Sequence, residues 1–257
     1  MDKIALIDAD SLIYINCYNK KLLDKEKNPV IGDDGEPVRE VRTLQECKDL
    51  TDKMIMDILK ATSSTEYLLF LTVGRGFRYD IYPEYKGNRK GSEKPEHFDR
   101  VKEHLITDHK AIYGHGLEAD DLVRIYQKQM PNSFIASPDK DVLNLAGSHY
   151  NYNKYQWELV TESQANLHFW SSMITGDSTD NIKGVPGKGP KFAEQYLQSG
   201  ENAAGDVLDV YIQKFGEEVG VYEFYKNYKC LKILDEYEGL EIKEPIKLED
   251  ELQEGNE

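Results

Sequence analysis

The sequence predicts an α/β fold built on a central, mostly parallel sheet. Two observations predict it. Residues 4–7 (IALI), 67–73 (YLLFLTV) and 134–136 (FIA) are apolar without alternation, the pattern of strands buried on both faces. Between them lie stretches with helical spacing, so strand and helix alternate as crossover units do. A chain of 257 residues makes one large domain, or one with a smaller appendage.

The first apolar run ends at Asp8, and in open α/β sheets the positions just past strand ends line the functional crevice. Asp8 and Asp10 fall there, with Ser11 able to cap the helix that follows; a lone Asp after a strand is as often a cap or turn residue. Residues 24–42 are polar around the turn Asp33-Asp34-Gly35 and predict a surface loop or hairpin. Leu44, Cys47, Leu50, Met54, Ile55, Ile58 and Leu59 give residues 43–61 helical spacing. After the second strand, six basic and three acidic residues between Arg75 and Lys94 interleave with Phe77, Tyr79, Tyr82 and Tyr85. Rings that stack on bases and cations that meet phosphates suit a nucleic-acid single strand, although a solvated loop with tyrosines on the core fits the composition equally.

Residues 95–112 predict an amphipathic helix, broken at 114–116. The next helix, 118–129, holds Glu118, Asp120 and Asp121 in its first turn, more acid than the helix dipole requires. The third strand runs into Ser137-Pro138-Asp139-Lys140-Asp141, again placing carboxylates past a strand end. Residues 150–160 predict a strand or hairpin, and Thr161 with Gln164 a capping box for a helix reaching Thr175. Residues 203–215 and 219–234 predict helices, the latter with Tyr222, Phe224, Tyr225 and Tyr228 read as core.

Residues 174–193 (ITGDSTDNIKGVPGKGPKFA) combine two signals. Asp177 and Asp180 are three apart, which puts both on one face of a helix or tight turn. Gly184, Gly187 and Gly189 with Lys188 and Lys191 read as a turn opening a helix, its backbone N–H groups free to approach a phosphate.

The net charge of −15 argues against nucleic acid only until its distribution is read. Residues 235–257 carry ten acids and two lysines, an acidic tail expected to be solvated or partly disordered. Without that tail and the nine clustered acids (Asp8, Asp10, Glu118, Asp120, Asp121, Asp139, Asp141, Asp177 and Asp180), the body is slightly basic. Acidic groups at four separate points would repel strongly if brought together, and hard divalent cations with oxygen ligands resolve this. The three cysteines are odd in number and scattered, as in a cytoplasmic protein with reduced thiols, and no His or Cys set shows zinc spacing. No eighteen-residue apolar run or signal-peptide pattern is present, so no membrane partner is expected.

Five ordered blocks carry a resemblance: residues 7–14 (IDADSLIY), 77–89 (FRYDIYPEYKGNR), 118–122 (EADDL), 137–145 (SPDKDVLNL) and 176–193. In these the chain resembles the 5′ nuclease superfamily of flap endonucleases and 5′→3′ exonucleases, most of all its bacteriophage and bacterial-polymerase-associated branch. The resemblance implies a PIN-like core over residues 1–165, including a helical arch or clamp at about 75–115. It also implies a helix–two-turn–helix (helix-hairpin-helix-like) DNA-binding subdomain at 166–234, before the acidic tail at 235–257.

Carried over by position, Asp8, Glu118, Asp120, Asp121, Asp139, Asp141, Asp177 and Asp180 would hold two Mg²⁺ or Mn²⁺ ions. Lys86 and Arg89 would stabilise charge at the scissile phosphate, and Tyr85 would stack on an end nucleotide. Arg78, Gly184, Gly187, Lys188, Gly189 and Lys191 would complete the DNA-binding set, with K⁺ at the turn as in some relatives. One position departs: the family's acid near the end of strand two is absent from Leu71-Thr72-Val73-Gly74, which leaves Thr72 as a stand-in and Asp10 as a candidate compensator.

The implied activity is metal-dependent 5′→3′ exodeoxyribonuclease with structure-specific 5′-flap endonuclease action on DNA 5′ ends, flaps and nicks, by two-metal-ion hydrolysis. A monomer of phage type, serving replication, repair or host-DNA degradation, is the expected setting. Two alternatives stay open at this point: a nuclease for RNA primers in RNA–DNA hybrids, and a catalytically weak protein that binds DNA structures.

Overall fold

The structure is a computed structural model that describes residues 3–89, 91, 93–197, 203–238 and 244–247. In chain order the elements begin β1 (Ile4–Asp8), α1 (Asp10–Cys17), β2 (Lys20–Lys21), β3 (Arg39–Glu40), α2 (Leu44–Thr62), β4 (Glu66–Phe70), α3 (Arg78–Ile81), α4 (Phe98–Thr107), α5 (Ala119–Gln129) and β5 (Ser133–Ala136). They continue β6 (Gly147–Asn151), β7 (Gln156–Val160), α6 (Glu162–Thr175), β8 (Gly176–Asp177), β9 (Ile182–Lys183), α7 (Pro190–Tyr196), α8 (Ala203–Phe215), α9 (Glu217–Leu231) and β10 (Ile246–Lys247).

Six strands form one sheet in the order β10-β4-β1-β5-β6-β7. The pairs β1–β4, β1–β5 and β5–β6 are parallel, whereas β6–β7 and β10–β4 are antiparallel edges. Strand alternation divides the core between the two faces. Ala5, Ile7, Tyr67, Leu69, Phe134 and Ala136 face α1, α2 and α4, while Leu6, Leu68, Phe70 and Ile135 face α5. The short apolar runs read from the sequence are therefore buried on both sides, and their carboxyl ends open on one edge of the sheet.

Local signals set the helix boundaries. Thr43 accepts from the Glu46 amide and Glu46 accepts from the Thr43 amide, and Thr161 and Gln164 repeat this reciprocal cap at α6. Within residues 75–115, α4 buries Phe98, Val101 and Leu105 against α1 and α2. A separate aromatic core joins α6, α7, α8 and α9, with Phe169, Tyr211 and Phe224 at its centre. Of the α9 aromatics read as core, Phe224 is buried, but Tyr222 and Tyr225 are 64% and 54% exposed.

The acidic tail is more structured than its charge implies. Arg124 Nε donates to Asp235 Oδ1 at 2.8 Å, and β10 lies on β4 with Ile246 against the core; an apolar residue among charges suffices to dock a two-residue edge strand. Residues 239–243 and 248–257 of that tail lie outside the described residues. No described helix is long and apolar enough to cross a membrane.

Candidate active site

The parallel strands deliver carboxylates to one cleft. Asp8 ends β1, Asp139 and Asp141 follow β5, and α5 begins beside them with Glu118 as its N-cap and Asp120 in its first turn. Asp8, Glu118, Asp120, Asp139, Asp141 and Asp180 line a cavity of about 90 Å³ together with Thr72, Lys86, Arg89 and Val142. Five of the six come from the sheet edge and the start of α5; Asp180 is carried in by the turn between β8 and β9.

Side-chain and backbone hydrogen bonds fix these groups. Ser137 Oγ donates to Asp8 Oδ2 at 3.1 Å, and the Asp141 amide donates to Asp139 Oδ1 at 2.9 Å. Lys86 Nζ donates to both oxygens of Glu118 at 2.8 and 2.9 Å. Arg89 Nη2 donates to Asp180 Oδ1 at 2.7 Å and stays half exposed. The loops bearing these cations are tied to the β8–β9 turn by Asn88 Nδ2 on the Ser178 carbonyl (2.7 Å), Asn181 Nδ2 on the Glu84 carbonyl (2.8 Å) and the Lys86 amide on the Asp180 carbonyl (2.8 Å).

The cleft is electrostatically strained. Burial, then the charges of Asp10 and Asp139, push Asp8 up to about 7. Burial with Asp139 and Asp177 pushes Asp141 up to about 7 as well. Burial and then Asp121 raise Asp120, and burial raises Asp180 despite Lys86, Tyr85 and Arg89. The donor set is all oxygen, crowded and short of positive charge, which fits hard divalent cations.

Two of the expected ligands sit differently. Asp121 points away from the cleft and is fully buried: Arg78 Nη1 and Nη2 donate to its two oxygens at 2.7 and 2.8 Å, and the Leu234 amide donates to Oδ1 at 3.0 Å. Its carboxylate is consumed in holding the chain after α9 against α5, so it is corrected from ligand to structural residue. Asp177 lies at the margin, its Oδ1 accepting from the Thr179 amide (2.6 Å) and its Oδ2 3.6 Å from Lys140 Nζ. Asp177 and Asp180 share a turn between two short strands, and only Asp180 lines the cavity.

Two expected DNA contacts are likewise corrected. Arg78 is 1% exposed, its Nε donating to the Cys230 carbonyl at 2.8 Å, so it cannot reach a nucleic acid. Tyr85 is 2% exposed, its hydroxyl donating to Asp180 Oδ2 (2.7 Å) and reaching Glu118 Oε2 (3.0 Å), so its ring cannot stack on a nucleotide.

Thr72 lines the cavity, but its hydroxyl accepts from the Ala119 amide at 3.0 Å and so helps cap α5. Its own amide donates to Asp10 at 3.1 Å, which sets the Asp10 carboxylate where strand two lacks an acid. Lys102 of α4, which no sequence motif singles out, donates to the Thr72 carbonyl and offsets the charge of Asp10. Ser137, whose one sequence signal is its place just before Pro138-Asp139, orients Asp8 through its hydroxyl.

The glycine-rich stretch forms an open turn ahead of α7. Gly176 and Gly184 pack backbone to backbone: a Cβ on either would stand 2.3 Å from the other's amide nitrogen. Gly187 has φ +82° and Gly189 caps α7, both with open space around them. Lys188 Nζ lies 3.9 Å over the Phe192 ring, and Lys191 is exposed.

A mostly parallel α/β sheet with carboxylates gathered at its strand ends is a fold of the PIN-like class. The chain belongs to the family described as 5′-3′ exonuclease, N-terminal resolvase-like domain, which matches residues 3–169. Among curated relatives, the DNA polymerase I of Rhizobium leguminosarum is 31% identical over 153 residues, covering 51% of this chain and 14% of that one. The flap endonuclease Xni of Vibrio parahaemolyticus is 26% identical over 181 residues, covering 62% of this chain and 69% of that protein.

Among solved structures, the flap endonuclease of bacteriophage T5, in a complex with DNA and metal ions, superimposes with a TM-score of 0.60 at 19% identity, covering 89% of each chain. Flap endonuclease-1 from Methanococcus jannaschii gives 0.54 at 14% identity, covering 93% of this chain and 80% of that one. These two likenesses establish the shared fold.

Proposed function

We propose that the chain is a divalent-metal-dependent 5′→3′ exodeoxyribonuclease with 5′-flap endonuclease activity. The observation that carries this reading is the cleft itself: six carboxylates around one small cavity, with Lys86 and Arg89 among its lining residues. Family membership and the flap endonuclease and polymerase relatives support the same reaction class.

Asp8, Glu118, Asp120, Asp139, Asp141 and Asp180 would hold two Mg²⁺ or Mn²⁺ ions, with Asp177 in support. When bound, such a pair activates a water and stabilises the leaving oxygen of a phosphodiester. The protein's own cations do the rest. Lys86 and Arg89, held by Glu118 and Asp180, would meet the non-bridging oxygens of a phosphate and oppose charge that grows in the transition state. Asp10 supplies negative charge beside Thr72 in place of an acid on strand two.

Gly184, Gly187, Lys188, Gly189 and Lys191 form the duplex grip, with carbonyls of that turn as a K⁺ position. Since Tyr85 is buried, base stacking falls to Tyr14, which is 37% exposed and lies one helical turn after Asp10 on the same face of α1. The domain division at residues 1–165, 166–234 and 235–257 belongs to this reading, as does a monomer working on DNA in the cytoplasm.

End-labelled 5′-flap, nicked duplex and RNA–DNA hybrid, each incubated with Mg²⁺, Mn²⁺ or EDTA, test the proposal. Release of short 5′ products from the DNA substrates in either metal, abolished by EDTA, is expected. Tight flap binding with no cleavage in either metal would refute the enzyme reading, and cleavage of the hybrid alone would reassign the substrate to RNA.

A further inference from the structure

Away from the cleft, two histidines converge on one aspartate. Asp52 Oδ1, on α2, lies 2.7 Å from His104 Nε2 and 2.9 Å from His109 Nε2. His104 stands in the last turn of α4, and His109 follows that helix. Both rings are also held at Nδ1: His104 by the Asp108 carboxylate, His109 by the Tyr67 hydroxyl at 3.1 Å. The imidazoles are buried, while the Asp52 side chain is 38% exposed.

This cluster shares no residue with the carboxylate cleft. Lys102, two residues before His104, turns toward Thr72 and Asp10, and residues two apart on a helix point to different faces. Thus α4 stands between the two groups.

The geometry is that of metal-ligating histidines with their outer partners in place. A ligating imidazole donates its other N–H to a carboxylate, hydroxyl or carbonyl, which fixes tautomer and ring direction. Here both Nδ1 atoms have such partners, and both Nε2 atoms converge on one oxygen, Asp52 Oδ1. One ligand atom from each of Asp52, His104 and His109 lies within 4.8 Å of the other two, and an ion with bonds of roughly 2.0–2.2 Å enters by replacing the two hydrogen bonds to Asp52 Oδ1.

We propose that Asp52, His104 and His109 form a second metal site, selective for Zn²⁺ or a similar transition metal, with solvent in the remaining position beside the half-exposed Asp52. Two imidazoles and one carboxylate favour zinc over magnesium, so this ion differs in class from those of the cleft. Its position ties α2 to the end of α4, and so to the segment that leads into Glu118 and α5. Its role is a structural cross-link of that segment.

Co²⁺ titrated into the whole protein, with excess Mg²⁺ present to occupy the cleft, tests this directly. The expected result is one Co²⁺ per chain with the strong visible absorption of a four- or five-coordinate site, displaced by one equivalent of Zn²⁺. Zn²⁺ at about a hundred times its dissociation constant should raise the melting temperature by roughly 5 °C or more. His104→Gln and His109→Gln, each shown to be folded by circular dichroism, should weaken Zn²⁺ binding by at least about tenfold. Only the weak absorption of six-coordinate Co²⁺ in the unaltered protein, or unchanged Zn²⁺ affinity in both folded variants, would overturn the assignment.

Discussion

The guanidinium of Arg78 grips the carboxylate of Asp121 through two parallel hydrogen bonds, at 2.7 and 2.8 Å, in a site where both side chains are almost wholly buried. The pair joins α3 to α5, and Arg78 reaches on to the carbonyls of Cys230, in the last turn of α9, and Lys232, just beyond it. Removing Asp121 takes both close hydrogen bonds from the buried Arg78 charge and leaves it facing Glu118 Oε2 at 3.8 Å, at a cost of about 3–5 kcal/mol. Asp121→Ala should therefore lower the melting temperature by roughly 10 °C, with or without Mg²⁺. A change in metal affinity with no loss of stability would return Asp121 to the ligand set.

Asp141→Asn should behave in the opposite way. It removes a crowded cleft carboxylate, so the metal-free protein should become more stable, while cleavage falls by at least about a hundredfold. Flap binding in Ca²⁺ should be nearly unchanged. Thermal melts and single-turnover cleavage of a labelled flap check both halves of this expectation.

The same crowding sets the pH dependence of stability. Asp8 and Asp141 lie near 7 in the folded protein against 3.8 for the free side chain, so between about pH 4 and 7 the folded state binds more protons than the unfolded one. Stability of the metal-free protein should accordingly fall as pH rises through that window. Saturating divalent cation should flatten the slope, because it favours the ionised carboxylates. Urea denaturation at pH 5 and pH 8, with EDTA or Mg²⁺, measures it.

Lys86 and the glycine-turn lysines should separate chemistry from grip. Lys86→Ala should slow the single-turnover step by roughly 10²-fold with little loss of flap affinity. Neutralising Lys188 and Lys191 together should weaken duplex binding and flatten its salt dependence, leaving the chemical step of bound substrate near normal.

The parallel sheet and its strand ends were legible because unalternating apolar runs and the acids after them are local signals: residues 4–8, 134–141 and 118–120 needed no long-range information. The turn around Gly187 was legible for the same reason. Asp121 was not, since its neighbours Glu118 and Asp120 have the same chemistry and only helix phase and a distant Arg78 decide which acid turns inward. Tyr85 and Arg78 sit in a stretch whose composition suits a DNA-facing loop, yet burial against Glu118, Asp180 and the end of α9 is a tertiary outcome that composition does not carry. The Asp52, His104 and His109 cluster has no motif spacing because its members come from two helices and a loop. The two-residue strand β10 within an acidic tail was hidden by the charges around Ile246.

The carboxylate cleft is where divalent cations are expected to bind. A crystal of the protein soaked in Mn²⁺, with anomalous density measured at the manganese edge, tests it most directly. Two peaks roughly 4 Å apart among Asp8, Glu118, Asp120, Asp139, Asp141 and Asp180, with none touching Asp121, are predicted. Anomalous density absent from this cleft at saturating Mn²⁺ would contradict the account.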